Sequence, residues 1–299
     1  MKTLFIVFFL IPLFTIPVFG QVIPSTDELL IQAFELNKEA KYGDSIPILD
    51  GVIDKEPDNT TALYYRSSAH IGLEQFQEAI ADLDRFSELK QELSGGIHYN
   101  YGAAYYGLGE YEKAIEYFEL IDEKDHNYIN ALNKKGIALL DSSRFEEAVE
   151  SFNLVIDNDQ NNFIAHLFRG VSLSNMGKYD EALESINTAL SIDSQNERAN
   201  HALQSTLKAK GRSLFDDSKY EEAIDVFKQA RENNPQDPNT ADLLSMAEFK
   251  VSENLAWTIA GSVVVTWGIA AAGFLYSRHL YRKSKKQIQE LKEELSRKN

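Results

Sequence analysis

The feature that most constrains the fold is a side-chain pattern that recurs six times along the chain. In its clearest copy, Tyr111 is followed by Ala114, Ile115 and Phe118. Spacings of three, four and seven residues place these side chains on one face of a helix. The leading aromatic residues of the six copies are Tyr42, Phe76, Tyr111, Phe145, Tyr179 and Tyr220, separated by 34, 35, 34, 34 and 41 residues.

A second helix is predicted in front of each copy. Glycine stands nine residues before four of the leading aromatics, at Gly102, Gly136, Gly170 and Gly211. Glycine inside a helix is costly, so its recurrence indicates that another helix packs closely against it. Pro57 and Pro235 stand where second helices should end. The repeating unit is therefore predicted to be two helices joined by a tight turn.

A helix–turn–helix period of about 34 residues resembles the tetratricopeptide repeat over residues 26–237. The resemblance implies an all-α, right-handed superhelical solenoid of about six repeats. The first repeat matches least well, with Ala33 and Ser45 at the glycine and alanine positions, as terminal repeats often do. Predicted repeat bounds are about 26–59, 60–94, 95–128, 129–162, 163–196 and 197–237, with a linker at 21–25 before them and a capping helix at 238–254 after them.

Two irregularities interrupt the repeats. Seven extra residues between repeats five and six, within Glu197 to Leu207, equal about two helical turns and are expected to lengthen the first helix of repeat six. Between repeats two and three, Gly95 and Gly96 replace the usual turn chemistry. This junction is either a looser hinge or a turn closed in a different way.

Both ends of the chain carry membrane signals. Residues 1–20, with Lys2 before an apolar run, are typical of a secretory signal peptide cleaved after Gly20, the alternative being an uncleaved anchor. Residues 255–276 hold no charge and would measure about 33 Å as a helix, enough to span a bilayer. The basic tail 277–299 follows, so the positive-inside rule predicts a single-pass protein with an extracytoplasmic repeat domain and a cytoplasmic tail.

The sequence favours no catalytic, cofactor or metal site. It contains no cysteine, no phosphate-binding glycine loop and no pair of histidines at metal-ligand spacing. The net charge is −16, and the stretch between the apolar N-terminal segment and the basic tail carries −22. Such an acidic domain repels phosphates, which argues against nucleic-acid binding.

A protein or peptide partner is therefore predicted, held in a groove. In the family that the repeats resemble, the first helices line such a groove. Carried onto this chain, the resemblance implies a peptide-binding groove formed by Tyr64, Ser68, Tyr99, Asn100, Tyr106, Asn130, Asn133, Lys134, Asn175, Lys208 and Arg212. Repeat five adds Leu167 and Ser174. The basic clamp by which some family members hold a terminal carboxylate is not matched, since its positions fall on Tyr64, Tyr99 and Leu167.

The sequence thus predicts a membrane-anchored scaffold for protein–protein interaction outside the cytoplasm, with envelope assembly or complex formation as its expected setting. One alternative is a signalling or assembly protein whose tail docks a cytoplasmic partner through Ile288, Leu291 and Leu295. Homodimerisation would use Gly268 and Ala272, a small-residue pair in the apolar stretch. A further alternative, an enzyme or an accessory subunit of one, has no candidate catalytic residues. Asn59 opens the one glycosylation acceptor sequence, Asn59-Thr60-Thr61.

Overall fold

The computed structural model describes residues 24–90, 92–262 and 267–297, which form fourteen α-helices and no strand. The helices are α1 Thr26–Lys38, α2 Tyr42–Lys55, α3 Thr60–Gly72, α4 Phe76–Leu89, α5 Gly95–Gly107, α6 Tyr111–Glu119, α7 Tyr128–Asp141, α8 Phe145–Asn158, α9 Phe163–Asn175, α10 Tyr179–Ile192, α11 Glu197–Asp216, α12 Tyr220–Asn233, α13 Pro238–Ser262 and α14 Trp267–Arg297. The predicted all-α repeat architecture is confirmed.

The leading aromatic residues mark where the second helix of each repeat begins. Each of α2, α4, α6, α8, α10 and α12 starts at the aromatic identified in the sequence. Two residues before each of them, the backbone is left-handed: at Ala40, Glu74, Gly109, Ser143, Gly177 and Ser218, with φ between 57° and 76°. This single left-handed residue reverses the chain between the helices of a repeat. Only Gly109 and Gly177 adopt it without a side-chain penalty.

The recurring glycines lie where second helices touch first helices, as the sequence predicts. A Cβ atom at Gly136 would come within 2.7 Å of the Phe152 ring, and one at Gly170 within 2.5 Å of Ile186. A Cβ atom at Gly211 would come within 2.4 Å of the Phe227 ring. Because Phe152, Ile186 and Phe227 are fully buried, these contacts form the interior of the repeats.

The helices divide into two compact units, and the first contains α1 to α5. Within it, each of α1 and α3 packs against its own second helix and against the next first helix. One core cluster joins Ala33, Leu49, Val52 and Ala62. Gly95 and Gly96 lie in the first turn of α5, where a Cβ at Gly96 would come 2.8 Å from the Tyr64 hydroxyl. This glycine is therefore needed for close packing of α3 on α5.

The second unit contains α6 to α14 and repeats the same packing from α7 onward. The seven extra residues fall within α11, which is a single helix of 20 residues, whereas α9 has 13. The expected lengthening of this helix is confirmed. At its C-terminal side, α13 packs on α12 through a cluster of Ala223, Phe227, Leu244 and Ala247.

The C-terminal helix α14 lies beside α13. Tyr281, Ile288 and Leu291 of α14 face Met246 and Phe249 of α13 across an opening of about 540 Å³. Early positions of α13 face late positions of α14, so the helices run antiparallel. Met246, Tyr281, Ile288 and Leu291 each keep at least 38% of their surface exposed. The packing between α13 and α14 is therefore loose.

No helix in the described ranges is long and apolar enough to cross a membrane. The predicted span 255–276 is covered by the end of α13 and the start of α14, and its residues 263–266 lie outside the described part. The predicted signal peptide, residues 1–20, also lies outside it, as do the side-chain surroundings of Gly268 and Ala272.

Candidate functional site: the groove between α9 and α11

An open groove of about 660 Å³ lies between the first helices α9 and α11 of the second unit. The α9 side is mostly apolar, formed by Leu167, Phe168 and Val171. Leu167 is buried and packs in a cluster with Ala202 of α11, and Phe168 stacks on Phe152 at 6.2 Å between ring centroids. The apolar wall is therefore held rigidly by the core behind it. A volume of this size suits a few residues of a peptide or a small ligand.

The α11 side of the groove carries polar groups without partners. Arg198, His201 and Ser205 line it and, at spacings of three and four residues, share one helix face. In the described part of the chain, their side chains make no hydrogen bond or ion pair, and the same holds for Glu197 at the groove's edge. The groove thus combines a preformed apolar wall with hydrogen-bonding groups that face solvent.

Most of this polar wall comes from the first two turns of α11. Glu197, Arg198, His201 and Ala202 all lie there and line the groove, 34 residues after Phe163, Ile164, Leu167 and Phe168 of α9. Sequence reasoning missed them because it located groove positions by counting back from Tyr220, which is valid only for a helix of standard length. The 41-residue interval was the signal that the groove extends further toward the start of α11.

Lys208 and Arg212, the predicted groove residues of repeat six, instead face the start of α13. The Lys208 ammonium lies 2.8 Å from Asp237 Oδ2, and Arg212 Nη2 donates to Asn239 Oδ1 at 3.0 Å. Asp237 also accepts hydrogen bonds from Gln204 and Thr240. Chiefly because of Lys208, the pKa of the Asp237 carboxyl is held well below its ordinary value. These contacts join α11 to the capping helix.

Some of the predicted groove residues in the first unit are hydrogen-bonded to one another. Asn100 is buried, and its side-chain amide donates to Ser67 Oγ at 3.1 Å and to Ser68 Oγ at 2.8 Å. Tyr64, Tyr99 and Tyr106 are half-buried, and burial raises the pKa of the Tyr99 phenol. This arrangement links α3 to α5 and leaves part of each tyrosine ring accessible.

The remaining predicted residues differ in their surroundings. Asn130 is exposed and Lys134 half-buried on α7, whereas Asn133 is buried and its Oδ1 has no hydrogen-bond partner within the described residues. Asn175 lines the groove and donates to the Val171 carbonyl at 2.9 Å. Asn59 caps α3, accepting from the Ala62 N–H, and its Nδ2 donates to Glu56. A glycan on that nitrogen would weaken the bond to Glu56.

Comparison with known proteins agrees with this architecture. Family models described as tetratricopeptide repeat match residues 67–128 and 163–236. The second match includes α9 to α12 and hence both walls of the groove. The chain therefore carries tetratricopeptide repeats, the class of module that binds protein or peptide partners. No curated protein matches it.

Solved structures share the fold at low sequence identity. YrrB, described as a tetratricopeptide-repeat protein with an unusual peptide-binding site, is 20% identical, with 60% of this chain and 91% of YrrB covered and a TM-score of 0.50. PilF of Pseudomonas aeruginosa is 14% identical, with 74% of this chain and 97% of PilF covered and a TM-score of 0.54. MamA from AMB-1 is 20% identical, with 56% of this chain and 99% of MamA covered and a TM-score of 0.50. These likenesses concern the fold alone.

Proposed function

We propose that this protein is a tetratricopeptide scaffold that binds a segment of another protein in the groove between α9 and α11. The observation that carries the proposal is the groove itself, a rigid apolar wall facing unpartnered polar side chains. Repeat folds provide long binding surfaces without catalytic chemistry. The proposal therefore needs no cofactor.

Site-specific photo-crosslinking in cells tests this function. Photo-reactive residues at His201 and Ser205 would report on the groove, and the same residues at Glu184 and Arg231 would report on exposed positions of second helices. We expect one recurrent partner to be captured from the groove positions and not from the control positions. Capture from both faces alike, or crosslinks confined to the chain itself, would contradict the proposal.

The proposal includes membrane attachment through residues 255–276, with the repeats outside the cytoplasm. Its support is the uncharged 22-residue stretch followed by Arg278, Arg282, Lys283, Lys285 and Lys286. Attachment would hold the groove near the bilayer, and an envelope complex would be the setting for such a scaffold. A single-pass arrangement requires α14 to leave its place beside α13, and the loose packing of these helices permits that.

A further inference from the structure

We infer that the α9–α11 groove recognises a peptide segment in which an apolar side chain lies next to a carboxylate. This inference rests on the proposed function and specifies the chemistry of the partner. It derives from the side chains that the first turns of α11 present opposite the apolar wall of α9.

The apolar part of the recognition comes from α9. Leu167, Phe168 and Val171 form a continuous surface that is backed by the buried core and cannot collapse into the opening. A leucine-, methionine- or phenylalanine-sized side chain that fills it would remove its apolar surface from water, which favours binding. The groove therefore favours an apolar anchor.

The carboxylate part comes from the start of α11. Arg198 lies in the first turn of α11, where a cation is unfavourable because the free N–H groups already make that end positive. In the described structure no carboxylate pairs with it. The neighbouring Glu197 supplies one negative charge in the same turn. Its carboxylate is already stabilised by the positive end of the helix. The guanidinium is thus left to bind an anion from a partner.

His201 and Ser205 continue this wall and offer hydrogen bonds to the backbone of the bound segment. The carboxylate could belong to an aspartate or glutamate side chain or to a chain end. Both present the same planar pair of oxygens to a guanidinium.

Selection from a phage-displayed library of random 12-residue peptides on the purified full-length protein tests this inference. We expect enriched sequences to pair Asp or Glu with Leu, Ile, Met or Phe. Synthetic enriched peptides should lose at least tenfold in affinity for Arg198→Glu. Arg231→Glu, the same charge change at an exposed position of α12, should alter affinity less than twofold. Replacing the peptide's acidic residue with Arg should restore binding to Arg198→Glu.

The other outcomes separate the inference from the function on which it rests. Suppose that the enriched peptides need no acidic residue, keep their affinity for the Arg198→Glu variant and lose it for the Ser205→Trp variant. That result would overturn the carboxylate recognition and leave the groove as the binding site. Binding that tolerates both variants would overturn the groove as the site but keep a scaffold function. Failure to enrich any peptide would count against both. Loss of affinity on amidating the peptide's C terminus would assign the carboxylate to the chain end.

Discussion

Four of the six intra-repeat turns place a residue with a side chain in the left-handed conformation. Ser143 is one of them, with φ 63°, and it is exposed. The same turn position in the next repeat is Gly177. Side chains in this conformation cost more than glycine does, because Cβ approaches the carbonyl oxygen. Sequence alone could not reveal this, since serine and glutamate are ordinary turn residues elsewhere.

Replacing Ser143 with glycine should therefore stabilise the protein by roughly 0.5–1 kcal/mol, the relief of strain being partly offset by the greater freedom of glycine when unfolded. The reciprocal change Gly177→Ser should destabilise it by a similar amount. Chemical denaturation of the purified protein measures both. Ser142→Gly, one residue earlier at φ −84°, is the control and should not stabilise. Equal effects at positions 142 and 143 would refute the role of the left-handed backbone.

The low pKa of Asp237 makes part of the stability depend on pH. A carboxyl whose pKa is lowered by folding stabilises the folded state above its unfolded pKa and loses that contribution as pH falls through the folded pKa. Asp237→Asn should thus cost roughly 1–2 kcal/mol at pH 7, and its deficit relative to wild type should shrink below about pH 4. Denaturation at pH 7 and pH 3 measures the difference. Asp225→Asn, an exposed carboxylate on α12, should cost little at either pH.

At the scale of helices, the aromatic and glycine positions located the helix pairs in the sequence, and the structure starts each second helix at its leading aromatic. Those positions are decided by local packing, which repeats every 34 residues. Lys208 and Arg212 were predicted as groove residues, but they contact the start of α13. The side-chain direction of a first helix depends on how the following helices pack, and a single sequence does not show that.

The glycine contacts give a test of helix packing with an internal control. Gly136→Ala would push a methyl group against the buried Phe152 ring, at a cost of about 1–3 kcal/mol, offset by about 1 kcal/mol of helix propensity. Net destabilisation is therefore expected. Gly51→Ala in α2 has nothing within 4 Å of the new Cβ and should stabilise by about 1 kcal/mol. Thermal unfolding distinguishes the two, and stabilisation by Gly136→Ala would show that α8 does not pack tightly on α7.

At the scale of the whole molecule, the position of α14 bears on how the chain meets a membrane. Sequence patterning predicts that residues 255–276 span a bilayer, whereas in the structure residues 277–292 lie beside α13. Residues 255–276 include eight Leu, Ile, Val and Phe residues, which together favour membrane insertion by roughly 2–5 kcal/mol. Among the side chains that would have to separate, Met246, Tyr281, Ile288 and Leu291 remain at least 38% exposed, and Phe249 is half-buried. The membrane attachment proposed above requires these contacts to separate.

Cysteine labelling decides between the two arrangements, because the chain has no cysteine of its own. Ser245→Cys on α13 and Ser284→Cys on α14 both replace small residues, one exposed and one half-buried. In intact cells, an impermeant maleimide should label position 245, and position 284 should react only after permeabilisation. Labelling of both positions from outside would contradict the single-pass topology and would place α13 and α14 on the same side of the membrane. In that case the basic tail would be extracytoplasmic, on the same side as the groove, where any partner of the groove would also meet it.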